Sequence, residues 1–106
     1  MNKKLENEIM KFLENKGFEV NETIKNYYFF ENGITTCSEI RVCKSDMSIH
    51  TYYGLLDDIT SFFSIDFEVS KRLLVDYVEK TLNIKATHLS ILIGINPERV
   101  IRIDHD

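Results

Sequence analysis

The sequence predicts one α+β domain over residues 1–106, with helices packed on an antiparallel β-sheet. Three observations carry this reading. Apolar residues recur at helical spacing over 3–16, 55–63 and 67–82. Alternating aromatic and β-branched runs flank Asn32-Gly33, a dipeptide that tolerates the positive φ of a tight hairpin. The closing stretch "HLSILIGINPERVIRIDHD" is dense in β-branched residues and is interrupted by Asn96-Pro97.

In the first helix Leu5, Ile9, Phe12 and Leu13 form one stripe, and Gly17 supplies a left-handed stop. From Phe18 to Phe30 the pattern alternates, with Phe18, Val20, Ile24, Tyr28 and Phe30 on one parity and a break expected near Glu22 and Thr23. A two-residue turn at Asn32-Gly33 sets Glu31 against Ile34, Phe30 against Thr35, Phe29 against Thr36 and Tyr28 against Cys37. One face of that hairpin then holds Tyr28, Phe30, Cys37 and Cys43. The other holds Tyr27, Phe29, Ile34, Ile40 and Val42. Neither face is clearly polar, so both need cover; the chain's helices supply one layer, and the other needs more of this chain or a partner, such as a second copy in a homodimer through Tyr27, Phe29, Ile34, Ile40 and Val42.

Residues 47–53 fit either a strand or a helix start. Ile49, Thr51 and Tyr53 alternate and Gly54 breaks the chain, which favours the strand. Leu55, Leu56, Ile59, Phe62 and Phe63 give the next helix, and Asp66 caps a third, whose face is Phe67, Leu74, Val78 and Leu82, widened by Leu73 and Tyr77. The last stretch has two readings. As a helix-turn-helix over 88–105, Gly94 is the turn and Arg99 and Arg102 meet DNA. As a β-hairpin, "NPER" is the turn. The β-branched content, the shared parity of Leu89, Ile91, Ile93 and Ile95, and the acidic "DHD" terminus favour the hairpin, because DNA affinity rests on neutralising phosphates.

Composition limits the function classes. An apolar share of 43% argues against disorder, and no uncharged apolar run approaches a membrane span. The N-terminal "MNKKLENEIMKF" meets Glu6 and Glu8 where an export signal needs an apolar run, so a cytoplasmic protein is expected. Thirteen Ile, nine Lys and eight Asn against one Ala and one Pro point to an AT-rich gene. The net charge of −4 is unevenly spread. Ser45–Ser70 holds no Lys or Arg and carries Asp46, Asp57, Asp58, Asp66 and Glu68, so this segment is −5 and the rest +1. Such a segment repels phosphate and attracts basic partners.

Catalytic and cofactor motifs are not evident. Gly17, Gly33, Gly54 and Gly94 are spent on turns and breaks, not on a phosphate loop. Cys37 and Cys43, about 20 Å apart on one strand, cannot pair and are expected as reduced core residues. His50, His88 and His105 lack metal-ligand spacing and are expected at the surface, so no metal and no cofactor is expected. In size, acidity and lack of a catalytic motif the chain resembles small proteins of phages and mobile elements of low-GC bacteria, anti-CRISPR and other counter-defence inhibitors among them. The resemblance covers no particular residues and carries over no site.

The expectation is therefore a non-enzymatic binding protein. Asp46, Asp57, Asp58, Asp66 and Glu68 supply the field, and Tyr52 and Tyr53 the contacts, for a basic surface on a host protein. The alternative is the small helix-turn-helix regulator over 88–105.

Overall fold

The computed structural model describes residues 3–31, 38–93 and 99–103. Its elements run α1 (Lys3–Asn15), β1 (Glu19–Glu22), β2 (Asn26–Phe30), β3 (Ser38–Cys43), β4 (Ser48–Tyr52), α2 (Tyr53–Phe63), α3 (Phe67–Leu82), β5 (His88–Leu92) and β6 (Arg99–Arg102). The six strands form one sheet in chain order. All neighbours are antiparallel except β4 and β5, which are parallel, with Ile49 opposite Leu89 and Thr51 opposite Ile91. That parallel pair follows from the α2–α3 connection, because two parallel strands need a long crossover between them. The fold is thus α+β with a mixed sheet.

Local chemistry explains the helix ends. Gly17 turns left-handed after α1, at φ 66°. Ser64 and Asn83 do the same after α2 and α3, at φ 51° and 54°, and their N–H groups return to the Thr60 and Glu79 carbonyls. Asp66 sits at the N-cap of α3 in an extended conformation, without a side-chain capping bond. Gly54, expected to break the chain, lies in the first turn of α2. Glycine is tolerated there because the first helical N–H groups have no intrahelical acceptor to lose.

The three helices cover one face of the sheet. Ile9 and Leu13 of α1, Leu55, Leu56 and Ile59 of α2, and Leu73, Leu74 and Val78 of α3 are buried against Phe29, Ile40, Val42, Ile49, Leu89 and Ile91. Phe29 packs edge-on to Phe18 at 6.2 Å and lies 6.1 Å from Tyr77. A part-buried polar pair ties α2 to α3. The Thr60 hydroxyl donates to the Leu56 carbonyl at 2.8 Å, so its contact with Ser70, at 2.7 Å, takes its proton from Ser70.

Several expectations change. Val20 pairs with Phe29, and Asn21 with Tyr28, so the single parity expected from Phe18 to Phe30 is broken by a turn at 23–25 that leaves Ile24 95% exposed. Thr23 closes that turn by exchanging bonds with Asn26, whose N–H donates to the threonine oxygen at 3.0 Å. Strands β2 and β3 do form a hairpin, but in another register. Phe30 faces Ser38, Phe29 faces Ile40 and Tyr28 faces Arg41, with a bulge between Phe29 and Phe30. Asn32-Gly33 itself, with Ile34 and Cys37, lies outside the described residues. The expected dimer face is already covered: Phe29, Ile40 and Val42 have no exposed area and Tyr27 is half-buried, because the chain's own helices sit on them. The described parts of the C-terminal stretch, His88–Leu92 and Arg99–Arg102, are two antiparallel strands, with Leu89 opposite Ile101, where a helix-turn-helix needs helices. Among the described residues, no helix is long and apolar enough to cross a membrane.

Candidate functional site

The second face of the sheet is the one without helices. Strand alternation places Tyr28, Arg41, His50 and Ser90 in one row across β2 to β5, with Cys43 and Ser48 on one side of it and Tyr52 and Leu92 on the other. Tyr28 stacks on Phe30 at 6.0 Å and accepts a bond from the Asn26 amide at 2.9 Å. This face is more polar than its sequence parity implied, because β4 and β5 contribute serine and histidine where β2 contributes rings.

A polar chain missed in the sequence runs along β4. The Ser48 N–H and hydroxyl both donate to Asp46 Oδ1, at 3.0 and 2.7 Å. Ser48 Oγ lies 2.9 Å from His50 Nε2, and Cys43 Sγ lies 3.4 Å from the same nitrogen. The spacing Asp46-x-Ser48-x-His50 has the period of a strand and was the available signal. The proton directions decide what it does. Ser48 has one hydroxyl proton and gives it to the carboxylate, so its oxygen must accept from His50 Nε2–H. A histidine nitrogen that donates is not a base toward that serine. The network therefore braces the β3–β4 turn, and the same turn is tied to β5 by the Thr87 hydroxyl donating to the Asp46 carbonyl at 2.7 Å. The Ser48 hydroxyl chiefly holds the Asp46 carboxyl below the usual aspartate range; desolvation works against it, and the Ser48 N–H and the His88 and His50 charges add to it.

Cys43 is free and half-buried on this face, beside a histidine and not in the apolar core where it was expected. His50 and His88 are half-buried and hydrogen-bonded, against the expected open surface. Cys37 and His105 lie outside the described residues.

The acidic, tyrosine-rich residues divide. Tyr52 ends β4 and Tyr53 begins α2, and they stay 42% and 39% exposed. Tyr53 packs on Phe67 at 5.2 Å, which joins the start of α2 to the start of α3. Asp57 follows Tyr53 by one helical turn and so shares its side of α2. Asp57, Asp58, Asp66 and Glu68 are all exposed. Asp46 does not join them. The length of β4, about 13 Å from Ser48 to Tyr52, puts it at the opposite end of the sheet. The fold also brings in a cation. Lys71 of α3 pairs with Glu68 at 2.6 Å and lies 5.5 Å over the Phe67 ring, so part of the acidic field is answered within the chain.

Among the described residues, no cluster of histidine, cysteine and carboxylate side chains is arranged to hold a metal. No protein-family model, curated protein or solved structure matches the chain, so the reading of this surface rests on its own chemistry.

Proposed function

We propose that the chain is a non-enzymatic protein-binding module. Its contact surface is the α2–α3 corner, with Tyr53, Asp57, Asp58, Asp66 and Glu68, continued by Tyr52 at the adjoining edge of the open sheet face, and it faces a basic surface on another protein. The observation that carries the reading is the state of the two tyrosines. A chain that buries Phe29, Leu56 and Leu74 completely leaves two rings, consecutive in sequence, about two-fifths exposed, and the exposed Asp57 shares the Tyr53 side of α2. Tyrosine is enriched at protein interfaces, and rim charges steer encounter. Inhibition of a host defence protein by such a module, in the cytoplasm of a low-GC bacterium, fits the general resemblance of the chain to small phage and mobile-element proteins.

The test uses the chain as immobilised bait in a lysate of its source cells, followed by kinetics with whatever purified partner is retained. Tyr52→Ala and Tyr53→Ala are expected to speed dissociation, with folding checked by circular dichroism because Tyr53 supports Phe67. A partner that leaves both variants at the wild-type rate binds elsewhere, and this surface is then not the site.

A further inference from the structure

The open sheet face contains a cavity that shares only Tyr52 with the proposed contact surface. It measures about 140 Å³ and is lined by Ser38, Arg41, His50, Thr51, Tyr52 and Leu92. Arg41 stands between Tyr28 and His50 in the strand register. Its Nε is shut off from solvent and has no hydrogen-bond partner. A guanidinium N–H shut away from water and left unmade is costly, so such groups are normally satisfied by a carboxylate, a carbonyl or a bound ligand. Among the described residues, no acid supplies one. Among the described residues that line the cavity there is no carboxylate.

The geometry points to a binding site for a small organic carboxylate, with its oxygens on the Arg41 guanidinium and the Ser38 hydroxyl and its carbon body against Tyr52 and Leu92. Arginine is the residue suited to this, because its planar fork presents parallel N–H donors to two carboxylate oxygens. The size agrees: an apolar cavity of about 150 Å³ accommodates a benzene ring. The mixed lining asks for a ligand with one charged end and one apolar end. His50 forms part of the wall, and its Nε2–H is already directed at Ser48.

The experiment is a nuclear magnetic resonance titration of the full chain with three probes: benzoate, its uncharged analogue benzyl alcohol, and inorganic phosphate. Benzoate is expected to shift the Arg41 Nε–H resonance and the Ser38 amide in one saturable process. Benzyl alcohol and phosphate are expected to bind at least about tenfold more weakly, since one lacks the charge and the other the apolar body. Arg41→Gln should abolish the benzoate shifts, and Arg41→Lys should restore them only in part, because an ammonium cannot make the forked contact. Equal binding of benzyl alcohol would make the cavity a plain apolar pocket. Equal binding of phosphate would make it a general anion site. An Arg41 Nε–H resonance that benzoate leaves unmoved would remove the site altogether, and that readout needs only the wild-type chain. None of these outcomes depends on a protein partner at the α2–α3 corner.

Discussion

Phe29 and Phe30 are neighbours on β2 with the same side chain and opposite fates. Phe29 points under the helices, has no exposed area and meets Phe18 and Tyr77. Phe30 points to the helix-free face, is half-buried and meets Tyr28. The difference is one step of strand alternation. It separates a covered face, where the large apolar side chains are fully buried, from an open face that carries polar and titratable groups. The covered rows are Phe29, Ile40, Val42, Ile49, Leu89 and Ile91. The open rows hold Arg41, Cys43, Ser48, His50 and Tyr52 instead.

This contrast is most easily broken by truncating the two phenylalanines. Phe29→Ala should cost about 3–5 kcal/mol in urea denaturation, the usual loss for a large ring removed from a packed core. Phe30→Ala should cost about 1 kcal/mol, the scale of one aromatic pair. Equal losses would mean that the open face is a second core. A marginal Phe29→Ala, still folded but with the larger shift in midpoint, is enough to keep the difference measurable.

A middle-sized effect belongs to the turn below the open face. Asp46→Ala removes the acceptor of two Ser48 bonds and should cost about 1 kcal/mol at neutral pH. The pH dependence has a definite sign. The Asp46 carboxyl titrates lower in the folded chain than in the unfolded one, so its contribution is complete above the ordinary aspartate value and disappears as pH falls through the lower, folded one. The stability gap between wild type and variant should therefore close in acid. A gap of constant size would assign the loss to the turn's backbone and not to the charge.

Glu39 works the other way and more weakly. Burial pushes its carboxyl above the usual glutamate range, helped by Glu31 and Asp58 and opposed by Lys16. A raised acid favours the fold while protonated, and that contribution is lost as pH rises through the folded value. Glu39→Gln should consequently raise stability at neutral pH, by less than the Asp46 loss, and leave it nearly unchanged in acid. A destabilised Glu39→Gln at neutral pH would show that the carboxylate has a partner worth more than its desolvation.

How much of this was legible follows from where each signal lives. Helix α3 occupies the predicted residues because an amphipathic stripe is a local pattern. The β2–β3 register was missed because Phe30 pairs with Ser38 and not with Thr35, a three-residue offset that a two-residue turn at Asn32-Gly33 does not allow, and the bulge at Phe29/Phe30 adds one residue more. The β4–β5 pairing was missed for a different reason: it joins Ile49 to Leu89 across two helices, and adjacency of that range has no local signature. In the candidate site, the exposure of Tyr52 and Tyr53 fits their place at the junction of β4 and α2, but periodicity could not say that Asp46 stands at the far end of β4. Arg41 escaped notice because an unpartnered donor becomes visible only once its surroundings are known.

The smallest effect on stability carries the most functional weight. Asp57 and Asp58 are exposed on α2, so Asp57→Lys with Asp58→Lys should change stability by less than about 0.5 kcal/mol. Asp58 is one of the charges that raise Glu39, so a lysine there relieves a repulsion and any change should be toward greater stability. Partner binding should respond in a different currency. Long-range attraction between an acidic rim and a basic surface raises the association rate and is screened by salt, whereas the dissociation rate depends on the desolvated contacts at the centre. The double lysine variant should then associate more slowly at low salt, lose most of its salt dependence, and dissociate at nearly the wild-type rate. Tyr52→Ala should give the complementary result. If the lysine variant instead associates at the wild-type rate at low salt, these carboxylates are a solvated helix surface, and the open sheet face around Tyr28, Phe30 and Arg41 becomes the surface to mutate next.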